Sequence, residues 1–242
     1  MLMRKSRAYA EIYNDLWGTV VNVFRVLRDP EQAQELERLL RLTPFAREEF
    51  DLCGEIELVK VQDPVELARR TILRSFAGFG SAATNAKHST GFRSNSTRAY
   101  TTPAHDWANL PDLIPAFTNR LKGVVVENRP AADVITHHDG PATLHYVDPP
   151  YPHATRSLKR GNSLYVHEMT NDQHRELATV LRNLKGMVVI SGYPCELYDD
   201  ELYPDWTRIE RKTFADGARK RIEVLWLSPN CSTNDRLFYD IK

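Results

Sequence analysis

Along the first third of the chain, apolar residues recur at helical spacing. Leu16, Val20, Val23, Phe24 and Leu27 share one face, Leu36, Leu39 and Leu40 a second, and Leu67, Ile72 and Leu73 a third. In the last of these, VELARRTILRSF, the arginines are expected on the side away from the apolar residues. Ahead of the helices, Ala8 to Tyr13 predicts a strand running into the polar pair Asn14-Asp15. Thr43-Pro44 stops the second helix, and Pro44 is expected to open another at AREEFDLC, because proline suits a first helical turn. Residues 78–103, GFGSAATNAKHSTGFRSNSTRAYTTP, then break the pattern and predict a long loop.

The second half alternates differently. A helix near Ile114 to Leu121 leads to a strand at Val124 to Val126, and another strand runs from Leu144 to Val147. Thr170 and Gln173 have capping-box spacing ahead of HRELATVLRNL, a helix expected to end at Gly186 before the strand MVVIS. WTRIERKTF and RIEVLWLSP predict a hairpin joined at Asp216-Gly217. Strand and helix in alternation argue for an α/β fold with a mostly parallel sheet and a late antiparallel pair. Ligands bind beyond the carboxyl ends of strands in such sheets. Asn14-Asp15, Asp148 to Tyr151 and Ser191-Gly192-Tyr193 fall at such ends.

Composition narrows the class only slightly. The 32 basic and 32 acidic side chains cancel, so any case for nucleic acid rests on local charge. Cys53, Cys195 and Cys231 are odd in number and widely spaced, as expected for reduced thiols in a cytoplasmic protein. No apolar run approaches the roughly 18 residues of a membrane span, so no membrane partner is expected. His137-His138 and His145 have no carboxylate or cysteine at ligand spacing, so no metal is expected.

The segment HYVDPPYPH, residues 145–153, carries the sharpest chemistry. Pro149 and Pro150 fix φ and donate no amide hydrogen, so the chain leaves the sheet as a stiff, extended exit. The Asp148 carboxylate and the Pro149 carbonyl can accept the two hydrogens of an exocyclic amine while Tyr151 stacks on the ring that bears it. Stacking of that kind contributes about 1–3 kcal/mol per base. A base presented in this way must first leave its duplex.

DPPY after an apolar strand resembles the catalytic motif of S-adenosylmethionine-dependent amino-methyltransferases, and in particular the DNA adenine methylases. Other stretches resemble phage and prophage members of that family, among them AEIYNDLWGTVVNVFRVLR, LTPFAREEF, SFAGFGSAATNAKHSTGFRSNS, TTPAHDWANLP, VVVENR, MVVISGYPCELYD and EVLWLSP. The resemblance spans nearly the whole chain. It implies a Rossmann-like sheet with a helical, loop-rich DNA-recognition insertion at 35–115, between catalytic segments at 1–34 and 116–242. The function it implies is site-specific transfer of a methyl group from S-adenosyl-L-methionine to the exocyclic amine of adenine in double-stranded DNA.

Carried over by position, Asp148, Pro149, Pro150 and Tyr151 form the catalytic motif, with Asp148 also beside the cofactor. Asp15 matches the acid that holds the cofactor ribose, for which helix capping ahead of Leu16 is the structural alternative. Asn128, in VVVENR, matches the loop beside the cofactor adenine, although members often have an acid where this chain has Pro130. Members begin with a strand and a Phe-x-Gly-x-Gly-like loop, so the resemblance implies that the first strand and glycine loop are missing here. SFAGFG, at 75–80, follows a helix and is not that loop.

Within the insertion Arg69, Arg70, Arg74, Lys87, His88, Arg93 and Arg98 accompany Phe76, Phe79, Phe92 and Tyr100, a mixture suited to phosphate and base-edge contact. Lys87, Arg93 and Arg98 are the candidate DNA ligands there, and Arg156, Lys159 and Arg160 follow DPPY as a second basic group. Two rival functions stay open: a catalytically inactive DNA-binding remnant, and an amino-methyltransferase acting on RNA or protein.

Overall fold

The computed structural model describes residues 2–54, 60–78, 91–94, 101–155, 166–215 and 219–231. The chain divides into two compact units, one of residues up to Pro130 with 164–166, the other of the remainder from Ala131.

The first unit opens on strand β1 (Glu11–Asn14), followed by helices α1 (Gly18–Arg28), α2 (Pro30–Leu42), α3 (Arg47–Leu52), α4 (Pro64–Ala77), α5 (Pro103–Asn109) and α6 (Ile114–Leu121). Strand β2 (Val124–Glu127) then pairs with β1 in parallel, Glu11 opposite Val124 and Asn14 opposite Glu127. The helices start where local chemistry directs them. Asp29 accepts from the amides of Glu31 and Gln32, and Asp63 from those of Val65 and Glu66, each acid standing before a proline at the first helical position. Their inward faces meet in one core that includes Val26, Leu36, Leu40, Leu73, Trp107 and Leu121.

Several expectations shift. The first strand begins at Glu11 because the Ala8 amide is taken by the Glu11 carboxylate, outside the ladder. The first helix starts at Gly18, leaving Leu16 47 % exposed. Pro44 does not open a helix: Ala46 is extended and α3 starts after it, at Arg47. The loop expected over 78–103 gives way at its end to α5, with Thr102 accepting from the His105 amide and Pro103 at the first position.

The arginines of α4 do not sit apart from its apolar face. Arg74 is 5 % exposed, donates to the Cys53 carbonyl at 3.1 Å and lies over the Phe50 ring. Arg69 bridges Glu66 and Glu49, and Arg70 bonds Glu66. Phe76 and Phe92 join the same packing: Phe76 meets Phe45 and Trp107, and Phe92 meets Phe45 and Phe50. Arg74, Phe76 and Phe92 are thus packed into the unit, while Arg69 and Arg70 are held in ion pairs with its acids.

The second unit holds helix α7 (Ala131–His137), strand β3 (Leu144–Val147), helix α8 (Asn171–Arg182), strand β4 (Met187–Gly192), a π-helical turn at Leu197–Leu202, and strands β5 (Thr207–Ala215) and β6 (Arg219–Leu227). Its sheet runs β3-β4-β6-β5, with β3 and β4 parallel and the later neighbours antiparallel. The Asp216-Gly217 joint lies outside the described residues. The Thr170–Gln173 capping box forms as its spacing predicts.

Gly186 is a correction, because α8 ends at Arg182 and Gly186 lies beyond its cap. A Cβ at Gly186 would stand 2.7 Å from the Thr143 carbonyl and 2.9 Å from that of Gly140, so glycine is required by close backbone approach. Asp139 fixes the same corner, accepting from the amides of Lys185 and Gly186. Burial pushes its carboxyl up, but those amides and His145 outweigh it and leave it below the ordinary value. Among the described residues no helix is long and apolar enough to cross a membrane.

Candidate active site

In the first unit, the ends of the parallel strands β1 and β2 are tied together by side-chain amides. Asn14 donates to the Arg129 carbonyl at 3.0 Å and accepts from the Arg129 amide at 3.1 Å. Asn128 donates to the carbonyls of Asp15 at 2.7 Å and Leu16 at 3.0 Å. Both amide hydrogens of Asn128 are thereby committed, so it acts first as a strap on the turn that carries Asp15.

The Asp15 carboxylate takes the Trp17 amide on Oδ1 at 2.8 Å and the Tyr13 hydroxyl on Oδ2 at 3.3 Å. It caps no helix in the usual sense, since Trp17 occupies the cap of α1 and makes no side-chain cap bond. Burial, then the neighbouring carboxylate, push the Tyr13 phenol up, so its proton stays in place. A carboxylate has about four lone-pair sites, so Asp15 retains capacity for the two hydroxyls of a ribose. These two open acceptor positions fit the ribose of the cofactor that the resemblance implies.

At the opposite end of β1 the buried Glu11 carboxylate is held in an ion pair. Arg120 grips Glu11 with two bonds, 2.7 and 2.9 Å, and Lys5 adds a third contact. The Arg120 bond holds the Glu11 carboxyl down at about 2, against the raising effect of burial.

In the second unit, the chain leaves β3 at Asp148-Pro149-Pro150-Tyr151, with Asp148 exposed and Pro149 buried. Ser191, on β4 and 6 % exposed, donates to Asp148 Oδ1 at 2.9 Å, with the Val147 carbonyl further away at 3.3 Å. One carboxylate oxygen is thus oriented by the neighbouring strand while the side chain faces solvent. Tyr151 meets Tyr193 edge to face, with centroids 4.8 Å apart. The Arg221 guanidinium lies over the other aromatic, 5.0 Å from the Tyr193 ring centroid.

Gly192, the last residue of β4, lets the strand end lie close against two rings. A Cβ there would stand 3.2 Å from the Trp226 ring and 3.4 Å from Tyr198, two of the largest buried side chains in the unit. Tyr198 is anchored by His174 Nδ1 at 3.0 Å, and Trp226 donates to Asp199 at 3.0 Å. This packed floor sets the height of Tyr193 beside Tyr151.

Of the candidate residues, Asp15 and Asn128 meet at one strand-end corner, and Asp148, Pro149, Pro150 and Tyr151 form the other. Arg93 is described: its amide bonds the Ala77 carbonyl at 2.7 Å, next to the Gly78–Phe92 bridge. Lys87, Arg98, Arg156, Lys159 and Arg160 lie outside the described residues, as do His88, Phe79 and Tyr100. Ser191 and Tyr193 were legible as a strand end but not as partners of Asp148 and Tyr151, and Arg221 was missed. The pairing of Ser191 with Asp148 depends on the β3–β4 register, which no local sequence signal carries. Among the described residues no group of three histidine, cysteine or acidic side chains is arranged to hold a metal ion.

The family model described as D12 class N6 adenine-specific DNA methyltransferase matches residues 1–215. A search of the curated proteins finds no match.

Proposed function

We propose, from the premise that this chain belongs to the D12 class N6 adenine-specific DNA methyltransferase family, that it methylates adenine at specific sites in double-stranded DNA with S-adenosyl-L-methionine as donor. The observation that carries this reading is the exposed Asp148 carboxylate at the end of β3, oriented by Ser191 and flanked by Tyr151. The fold is of the Rossmann-like type in this reading, and residues 35–115 form the DNA-recognition insertion.

Each residue then has a task. Asp148 accepts one hydrogen of the adenine amine through the oxygen that Ser191 leaves open, and the Pro149 carbonyl accepts the other. That pairing turns the nitrogen lone pair out of the ring's π system. Tyr151 stacks on the extruded base, and the rigid proline pair keeps carboxylate and ring in fixed relation. Asp15 holds the ribose of the cofactor, with Asn128 bracing its turn. The bound cofactor supplies an electrophilic methyl group. Arg93, together with Lys87, Arg98, Arg156, Lys159 and Arg160, contacts DNA.

The test is incubation of the protein with labelled S-adenosyl-L-methionine and duplex DNA, followed by nucleoside analysis. N6-methyladenine in duplex DNA is the expected product. Label confined to RNA or protein would move the substrate class, and duplex binding without any transfer would leave a DNA-binding remnant.

A further inference from the structure

The charge of the chain cancels overall, yet residues 211–221 carry five basic side chains and one acid. Those described among them, 211–215 and 219–221, belong to the end of the β5–β6 ribbon that projects past the rest of the sheet. β4 pairs with β6 only from Val224 to Leu227, whereas β5 continues to pair from Glu223, opposite Arg211, out to Arg219, opposite Ala215. Five rungs therefore overhang, roughly 17 Å of two-stranded ribbon at strand rise. Isolated two-stranded ribbons are marginal in water, so a projecting one loaded with like charge calls for an explanation.

Register fixes which way the ribbon looks. Val189 is opposite both Tyr146 and Leu227, and Ser191 is opposite Leu225, which is opposite Ile209. Alternation then puts Arg221, Glu223 and Arg211 on the face that bears Ser191, and Lys212 on the other. The Ser191–Asp148 bond extends that face to the amine-holding carboxylate, and the Arg221–Tyr193–Tyr151 contacts extend it to the stacking ring. Arg211 is exposed and, among the described residues, forms no ion pair. Arg221 has one face on Tyr193, which preorganises its planar fork of donors.

We infer that the overhanging end of the β5–β6 ribbon is a phosphate-binding surface, with Arg211 and Arg221 holding the backbone of the DNA strand whose adenine enters beside Asp148. The inference rests on the proposed function and adds to it a surface in the second unit, apart from the recognition insertion. An extruded nucleotide keeps its phosphates in the strand, so cations in line with the base-stacking ring are where they are needed. The competing account is protection of the exposed edge strand β5 by charge. It predicts no effect on DNA binding.

The two accounts separate in a salt titration of duplex binding by the full chain, without reference to turnover. The Arg211→Gln/Arg221→Gln variant is expected to lower the slope of log K against log salt by about two, since each lost phosphate contact removes about one unit. Lys212→Gln, on the opposite face, should leave it unchanged, and Arg211→Lys/Arg221→Lys should preserve it by keeping the charge. Thermal melting checks that the variants fold. An unaltered slope in the double glutamine variant overturns the surface while leaving the proposed function standing. So does an equal loss in Lys212→Gln, or a changed sequence preference at constant slope. If the unaltered protein fails to bind duplex DNA, the proposed function falls with it.

Discussion

Asp15 and Asp148 each follow a parallel strand, yet the two carboxylates are differently engaged. Asp15 is half-buried, holds an amide and a hydroxyl from its own neighbourhood, and sits in a turn strapped by Asn128. Asp148 is exposed, and the side-chain bond that orients it comes from Ser191, 43 residues away. Locally bonded carboxylates hold a turn and a ligand together. A carboxylate oriented from the next strand and facing solvent is placed for a substrate that comes and goes. The same position after a parallel strand, one in each unit, is thus engaged in two ways, and under the proposed function the first suits cofactor binding and the second amine handling.

The largest expected effect that sharpens this contrast is at Asp148. Asp148→Ala should reduce turnover by on the order of 100-fold or more, the scale of losing a hydrogen bond to a charged group at the reacting atom. Melting temperature should stay unchanged, because the side chain is exposed. Asp15→Ala should instead raise the cofactor KM by about 10-fold or more with a smaller change in kcat, and lower stability by about 1 kcal/mol through the orphaned Trp17 amide. Similar kcat effects at both positions would collapse the distinction.

Ser191→Ala comes next in size. It should lower kcat about 5- to 10-fold at constant DNA affinity, and Ser191→Thr should restore most of the loss, since the hydroxyl orients Asp148 and touches no substrate. A variant that weakens DNA binding as much as turnover would reassign Ser191 to the binding surface.

The smallest expected effect concerns acid. Glu11 titrates at about 2 in the folded chain against an ordinary 4.5, so the folded state releases its proton more readily than the unfolded one. Its contribution to stability is complete above about pH 4.5 and is lost as the pH falls through about 2. Denaturation across this range should show a shallower acid limb in Glu11→Gln than in the parent. Identical limbs would mean that the Arg120 pair is not maintained in solution.

Much of this was legible in the residue order. The DPPY exit, the Thr170 capping box and the hairpin strands are local signals, and local signals survive into the fold. What escaped depends on partners distant in the chain. Arg74 has the composition of a surface residue, and only the meeting of α4 with the Cys53 carbonyl and the Phe50 ring buries it. Gly186 has the look of a helix stop until the carbonyls of Thr143 and Gly140 are brought against it. The pairing of Ser191 with Asp148 likewise exists only once β4 lies beside β3. The helix α5 was a different kind of miss, since Thr102-Pro103 carries the same cap-and-proline signal as Asp29-Pro30 and Asp63-Pro64.

The central claim is that this chain transfers methyl groups to adenine through Asp148. The most direct measurement compares the protein with its Asp148→Ala variant on duplex DNA and labelled S-adenosyl-L-methionine, with hydrolysed nucleosides separated by chromatography and identified by mass. The account predicts N6-methyladenine with the parent, none above background with the variant, and equal DNA affinity for the two. Methyladenine at matching rates from both proteins would contradict it, as would duplex binding by the parent with no methylated nucleoside at all.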